Sequence, residues 1–424
     1  RDASLDAKRL ASIRRQISER AGKAMITKLD TSVEARGFAN LPNVADLISR
    51  GPITPDHVIR TKRTGVVIGD SISESLDAYA DAYNAYFEAH GEESLKVLDP
   101  APRWGVLPDQ GVLAFGESCA RAGQIADIAR HTCRAIQWAE AAGGWGPLDA
   151  ASIFDVEYWE LEQAKLRKGG GGKPLTGKIA MITGGAGGIG AEIADALRND
   201  GAVVMVLDIS PAVEERYDAP DAVGRVCDVT STEALQAAVE ACVAQFGGLD
   251  ILVTNAGSFP PSRTIEETDD AIWSQVVDLN LTSHQKTLRA ATPFLKLGLD
   301  PTVIVVGSKN VPAPGPGVSA YSAAKAGLTQ LARVAALELA RDGVRVNVIH
   351  PDKVFDTNLW DADKISARAA HYGLTVDEYK RLNLLQVEVR AAQVGALAAA
   401  MAGPLFASTT GAQVPIDGGN DRVI

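Results

Sequence analysis

Three residues of the 424-residue chain, Ser308, Tyr321 and Lys325, form a set that can move a proton. A free phenol titrates near ~10, too high for efficient base work at neutral pH. Tyr321 and Lys325 stand four apart at the start of a helical stretch, so they share a face. An ammonium placed there stabilises phenolate and draws the phenol towards the working range. Ser308 follows a β-branched run and can hydrogen-bond an oxygen on which charge changes during reaction. A lone Tyr near a helix start is usually a packing residue. The company of Ser308 and Lys325 makes acid/base work on an alcohol or carbonyl the better reading.

A second set would hold the reaction partner. Thr183-Gly184-Gly185-Ala186-Gly187-Gly188-Ile189-Gly190 follows a strand-like run and opens a helix-like one. Glycines there permit a tight turn and let the backbone approach a pyrophosphate, while the helix N-terminus offers free N–H groups and a positive dipole end. A glycine-rich turn alone is as readily a surface turn. Here Asp208 ends the next strand-like run, where a carboxylate accepts from ribose hydroxyls and repels a 2′-phosphate. Ile209 follows it and Gly187 fills the variable loop position, so neither adds a compensating cation. NAD is therefore expected over NADP. The competing reading of Asp208 is a strand-end cap.

The elements that must position these groups alternate. Expected strands are Lys178–Thr183, Ala202–Asp208, Arg225–Cys227, Asp250–Thr254, Thr302–Gly307, Val344–Ile349 and Gln413–Ile416. Between them, Ala191–Asn199, Thr232–Phe246, Asp269–Leu297 and Ser322–Arg341 read as helices. Nearly uninterrupted apolar strands alternating with helices imply a parallel sheet covered on both faces, a doubly wound α/β fold with its ligand beyond the strands' C-terminal ends.

Length alone leads one to expect two domains. The clearest break is Lys168-Gly169-Gly170-Gly171-Gly172-Lys173-Pro174, where four glycines in a row disfavour helix and strand alike. Residues 1–167 are thus read as one domain, 168–173 as a linker and 174–424 as the Rossmann-type domain. Phe154–Arg167 is expected to be one amphipathic helix with Val156, Trp159, Leu161 and Leu166 on its apolar side. Ala391–Met401 reads as a small-residue packing helix.

Composition excludes several classes. A formal charge of −11 without any Lys/Arg-rich run argues against nucleic-acid binding. No apolar run approaches the ~18 residues of a membrane span, and no secretory signal opens the chain. Cys119, Cys133, Cys227 and Cys242 show no C-x-x-C spacing, so neither a zinc knuckle nor a disulfide framework is expected, and a reducing cytoplasm fits best.

The motifs together, Thr183–Gly190, Asn255-Ala256-Gly257, Asn280, Ser308 and Tyr321-x-x-x-Lys325, resemble the short-chain dehydrogenase/reductase family over about Pro174 to Ile424. The resemblance implies that Tyr321 is the acid/base, and that Lys325 binds the nicotinamide ribose while lowering the phenol's pKa. Ser308 would orient substrate and Asn280 would support a proton relay. Gly184, Gly187, Gly188, Ile189 and Gly190 would cradle the pyrophosphate, Asp208 and Ile209 would flank the adenosine ribose, and Asp228 and Val229 would hold the adenine. Asn255, Ala256 and Gly257 would form the cofactor floor, with Pro351 and Val354 near the nicotinamide. Pro351-Asp352 departs from the family's usual Pro-Gly, which puts the role of Val354 in question. Lys353–Asn383, with Trp360, His371, Tyr372 and Tyr379, would be a substrate lid, and self-association is implied. Lys309 and Lys353 are read as solvated rather than as substrate contacts, and His284 and His350 as packing or surface residues.

Asp99–Gly116, Thr54–Lys62 and Phe154–Arg167 resemble pieces of a class II aldolase/adducin-type domain, smaller and also α/β. The whole chain is similar to bifunctional rhamnulose-1-phosphate aldolase/short-chain dehydrogenase proteins. Such aldolases hold zinc with three histidines, two in an H-x-H pair, which is absent here; His57 matches the third by position. One imidazole does not hold zinc. Either the pair lies upstream of Arg1, which a chain starting without Met favours, or this half has lost its chemistry; no metal is expected in the chain itself. The leading expectation is NAD-dependent interconversion of an alcohol and a carbonyl on a small sugar-derived molecule, lactaldehyde-like or a sugar alcohol. The alternatives are a ketose-phosphate lyase in a longer protein and a non-catalytic NAD-binding module.

Overall fold

A computed structural model describes residues 5–167, 172–357 and 360–419. The chain divides into two compact units, Arg1–Lys178 with Val243–Gly248, and Ile179–Cys242 with Leu249–Ile424. Residues 168–171 of the expected linker lie outside the described residues.

In the first unit, β1 (Ile26–Asp30), β2 (Val66–Val67), β3 (Trp104–Leu107) and β4 (Gly111–Gly116) form a sheet ordered β1-β4-β3-β2. Phe38, Leu47, Trp104, Val106, Ile125 and Ile136 belong to the core packed against it. The expected single helix over Phe154–Arg167 is two, Ala150–Glu157 and Glu160–Arg167. Its expected apolar side is also wrong: Trp159 is 54% and Leu161 59% exposed, while Ile153, Phe154 and Tyr158 are buried. The break at Tyr158–Trp159 resets the helical phase that the sequence reading had carried through.

The second unit carries β5 (Ile179–Thr183), β6 (Val203–Asp208), β7 (Asp218–Ala219), β8 (Ala222–Val226), β9 (Ile251–Thr254), β10 (Thr302–Val306), β11 (Arg345–Pro351) and β12 (Gln413–Ile416). They form one sheet ordered β12-β11-β10-β9-β5-β6-β8-β7, parallel throughout except for β7 against β8. Runs such as Thr302–Val306 are buried at every position, as a sheet covered on both faces requires. The chain leaves β5 towards β6 and β8, then returns to build β9 to β12 on the other side. This reversal opens a crevice beyond the C-terminal ends of β5 and β9.

Several expected elements change. The strand read as Arg225–Cys227 is Ala222–Val226, turned back on β7 through Pro220 and Asp221, a turn-forming pair. The helix read as Ser322–Arg341 begins at Ser319, which places Tyr321 in its first turn. Asp269–Leu297 is interrupted: Asp270–Val277 and Ser283–Leu295 flank a π-helical turn at Asp278–Thr282. The Asn280 side chain supplies local competition there by donating from Nδ2 to the Val276 carbonyl at 3.0 Å. Helix Ala391–Ala402 packs on helix Gly188–Asn199, with Gly395 against the Glu192 carbonyl. After β11, helices Ala362–His371 and Val376–Lys380 enclose a small core of Phe355, Ile365, Ala369 and Tyr379.

Candidate active site

The glycine turn is held by the ends of β5 and β9. Thr183 Oγ1 accepts from the amides of Asn255 and Ala256 at 3.0 and 3.1 Å. Asn255 Nδ2 donates to the carbonyls of Thr183 and Gly184 at 3.0 and 2.9 Å. Gly184 has φ +69°, and a Cβ on it would lie 2.8 Å from Ala256 Cα. A Cβ on Gly190 would meet the Gly184 carbonyl oxygen at 2.1 Å, so only glycine fits this turn. Gly187 then caps the helix without a side chain, and the amides of Gly188, Ile189 and Gly190 have no carbonyl one turn earlier to bond. That is an anion cradle.

Asp208 ends β6 beside it. One carboxylate oxygen accepts from Ala186 N and the other from Ser210 N, both at 2.9 Å. The carboxylate is thus a cap for the turn, and it keeps lone pairs for further donors. Ile209 is exposed next to it, and Val229 is buried. Asp228, beyond β8, is held below the usual carboxylate range by the amide and hydroxyl of Thr230.

The candidate proton-handling residues meet at the same sheet edge. Ser308 lies just past β10, buried, its Oγ accepting from Asn310 N at 3.1 Å. Buried Lys325 donates from Nζ to the carbonyl of Val306, the last residue of β10, at 3.0 Å. Its Nζ is 6.0 Å from the centre of the Tyr321 ring. A Cβ on Gly257 would lie 2.8 Å from Asn280 Oδ1 and 3.7 Å from Lys325 Nζ. The Asn255–Gly257 run therefore links the glycine turn to Asn280 and Lys325. Asn280 is fully buried, with Oδ1 accepting from Ser258 N at 3.2 Å.

The electrostatics differ from the expectation. Burial pushes the Tyr321 phenol above its ordinary value, and a hydrogen bond with Ser308 pulls it back. Burial lowers Lys325 to about 8. In the protein alone the phenol keeps its proton through the neutral range, and the group that draws it down is Ser308 rather than the lysine.

Pro351 closes β11, and Val354 is buried just after it, its carbonyl accepting from Thr357 Oγ1 at 3.0 Å. Thr357, which the sequence reading missed, packs on Gly188: a Cβ there would be 3.3 Å from Thr357 Cβ. Phe259, also missed, stands edge-on to Tyr321 with ring centres 4.9 Å apart. Its place two residues after Asn255-Ala256-Gly257 was the available signal. Lys309, expected to be solvated, is 2% exposed, with Nζ 3.8 Å from Asp352 Oδ2. Lys353 is half-buried, its Nζ 5.3 Å from the centre of the Tyr379 ring. His284 is buried in packing, where burial lowers its pKa well below the ordinary value. Among the described residues no group of three or more His, Cys, Asp or Glu side chains stands ready for a metal, and no helix is long and apolar enough to cross a membrane. The four cysteines are buried, and no disulfide joins them.

The crevice fits a dinucleotide: a cradle closed to any Cβ, a helix N-terminus, and a carboxylate at the next strand end. The comparisons agree. Residues 178–368 match the short chain dehydrogenase family, and residues 4–166 match "Aldolase class II, second domain". The chain is 30% identical over 433 residues to "Uncharacterized oxidoreductase YuxG" of Bacillus subtilis (strain 168), covering 96% of this chain and 62% of that relative's length. It is 35% identical over 183 residues to "4-formylbenzenesulfonate dehydrogenase TsaC1/TsaC2" of Comamonas testosteroni, covering 42% of this chain and 73% of the relative. Among solved structures, 3-ketoacyl-(acyl-carrier-protein) reductase from Brucella melitensis, complexed with NADH, superposes with a TM-score of 0.52 at 25% identity, over 59% of this chain and all of that one. A turn only glycine can make, the Tyr-x-x-x-Lys pair at the neighbouring strand end and these likenesses converge: the chain belongs to the short-chain dehydrogenase/reductase family of oxidoreductases, with an aldolase class II second domain ahead of the dehydrogenase.

Proposed function

We propose that the protein is an NAD-dependent dehydrogenase that interconverts an alcohol and a carbonyl on a small sugar-derived molecule, with Tyr321 as acid and base. The observation that carries this reading is the convergence of Tyr321, Ser308, Lys325, Asn280 and the glycine turn on one sheet edge. The preference for NAD rests on the Asp208 carboxylate, which would repel a 2′-phosphate, and on exposed Ile209 supplying no cation. The NADH held by the Brucella reductase is consistent with it.

Bound there, NAD supplies the hydride acceptor. Tyr321 takes the hydroxyl proton of an alcohol, or returns it to a carbonyl oxygen in the reverse direction. The Ser308 hydroxyl bonds that same oxygen as its charge changes. Lys325 would hold the nicotinamide ribose, and its Nζ stands 6.0 Å from the centre of the Tyr321 ring. The Asn280 side chain, bonded to Ser258 N and the Val276 carbonyl, holds the floor in place, and Asn280 would support the proton relay. Helices Ala362–His371 and Val376–Lys380, within the expected Lys353–Asn383 lid, would cover the crevice and exclude water. The protein is proposed to self-associate and to work in the cytoplasm, where cysteines outside any disulfide stay reduced.

The deciding experiment is a nucleotide-reduction screen across small diols, lactaldehyde and sugar alcohols, run with NAD and with NADP. Turnover with NAD on at least one is expected. A preference for NADP, or no turnover on any alcohol, defeats the reading.

A second reading, lyase activity in a longer protein, is favoured by the aldolase class II match over residues 4–166. His57 and the other described residues do not make a metal site by themselves, so no step is derived through zinc. Zinc content and ketose-phosphate cleavage by the longer protein would test it.

A further inference from the structure

The proposed reaction draws on Ser308 and Tyr321, and a further polar side chain stands beside the same serine hydroxyl. The chain turns tightly after Ser308: Val311 N donates to the Ser308 carbonyl and Ala313 N to the Lys309 carbonyl, both at 3.1 Å. That turn folds Asn310 back onto Ser308. Its backbone N donates to Ser308 Oγ at 3.1 Å, and its Nδ2 lies 3.5 Å from the same oxygen. Ser308 is buried, whereas Asn310 is partly exposed.

The Asn310 amide has a defined orientation. Gly315 N donates to Oδ1 at 3.4 Å, which sets the oxygen towards the loop and leaves Nδ2 on the Ser308 side. Nδ2 carries two hydrogens, and a contact of 3.5 Å engages no more than one of them, weakly. A donor is therefore held ready next to the hydroxyl that would bond the reacting oxygen. Phe259 stands edge-on to Tyr321. The loop that carries Phe259 is tied to the loop that carries Asn310, because Gly317 O accepts from Arg263 N at 2.9 Å and from Ser262 Oγ at 3.3 Å. A group entering beside Tyr321 meets an apolar ring from one loop and an amide from the other, and the tie keeps both from drifting.

We propose that Asn310 is a specificity-determining residue: its Nδ2 donates to an oxygen on the carbon next to the reacting one. The site then selects an alcohol or carbonyl that carries an adjacent hydroxyl over the same molecule without it. This inference rests on the dehydrogenase reading. The reacting carbon gives its hydride to NAD and its hydroxyl proton leaves through Tyr321 to solvent, while the adjacent C–O bond stays intact. Ser308 and Asn310 would each hold one of two neighbouring oxygens. Once water is excluded, a substrate lacking the second oxygen leaves the amide unpaired, which is how a polar site rejects a deoxy analogue.

The test is kcat/KM of the full chain, with NAD or NADH, on matched pairs: propylene glycol with propanol, lactaldehyde with propanal, hydroxyacetone with acetone. Wild type is expected to prefer the hydroxylated member by at least about tenfold. Asn310→Ala keeps the backbone N–H on Ser308 and should bring that ratio to within about threefold of unity. Asn310→Asp keeps an acceptor for Gly315 N but loses the donor, and should lower the ratio in the same way. A side chain that only braces Ser308 would slow both members alike and leave the ratio as it was, and that result overturns the proposal. A wild-type ratio near unity overturns it too. Turnover without discrimination defeats this inference alone, whereas no turnover on either member of any pair defeats the dehydrogenase reading and this inference with it. Should Asn310→Ala fail to fold, Asn310→Asp still decides.

Discussion

His350 Nδ1 lies 2.9 Å from the carbonyl oxygen of Ser308, and Nε2 of the same ring lies 3.2 Å from Gln413 Oε1. Burial holds the imidazole pKa below its ordinary value, so the ring is neutral at physiological pH. It bridges β12 to the residue that faces Tyr321. Read from the sequence as a packing or surface residue, His350 is a positioning residue in the proposed reaction.

Replacing it should therefore change rate more than binding. His350→Leu is expected to lower kcat about 10- to 100-fold, the usual result of a small misplacement of a reacting group, with nucleotide affinity preserved. His350→Asn, which keeps a donor near Ser308, should recover part of the loss. Equal kcat in wild type and His350→Leu would remove the role.

Tyr321→Phe deletes the proposed proton carrier and leaves the cradle intact. Turnover should fall by roughly 10²- to 10⁴-fold while nucleotide still binds. The phenol is held above its ordinary value, so it keeps its proton at neutral pH and is ready to donate. Carbonyl reduction should then be favoured at neutral pH and alcohol oxidation should accelerate as pH rises. The two pH–rate profiles must run in opposite directions.

Asp208→Ala removes a charge and two caps at once. Nucleotide preference should shift towards NADP, and the loss of acceptors for Ala186 N and Ser210 N should cost about 1–2 kcal/mol of stability. A variant with unchanged NAD-to-NADP ratio in kcat/KM would place the discrimination elsewhere.

Lys325 is lowered from 10.5 to about 8 by burial. Between those values the unfolded chain binds the proton that the folded chain has released, so stability rises with pH across that window. Below it the buried ammonium imposes its full cost, on the order of 3 kcal/mol at most. Without nucleotide, Lys325→Met should be inactive yet more stable than wild type at pH 7, by on the order of 1–3 kcal/mol, and should lack the alkaline rise. Denaturant midpoints at pH 7 and pH 10 decide it.

Asp352→Gly restores the Pro-Gly usual in this family but takes a charge partner from buried Lys309. We expect a loss of about 2–3 kcal/mol, with much of it recovered in Lys309→Met/Asp352→Gly. Additive single effects in the thermodynamic cycle would show that the pair is not coupled.

The candidate site of the second unit was legible because its signals are local. Tyr321 and Lys325 announce themselves by spacing, and Gly184–Gly190 by a backbone need that no other residue meets. What escaped depends on partners far along the chain. His350 looks ordinary until β11 carries it beneath Ser308. Lys309 looks solvated until Asp352 arrives 43 residues later. Thr357 gains its contact with Gly188 only after the sheet is assembled. In the first unit, the helix break at Tyr158–Trp159 hid the exposure of Trp159 and Leu161, because a periodic pattern carried across a break rotates every later residue to the wrong side.

The π turn at Asp278–Thr282 has a consequence for how this region tolerates insertions and deletions. One extra residue in a helical turn advances everything after it by about 100°. Deleting a single residue there would relax the segment to ordinary α-helix, and it would also swing either Asn280 away from Gly257 or Ser283–Leu295 off its packing face. Length is therefore constrained at this point more tightly than residue identity, and natural variation should proceed by substitution rather than by change of length.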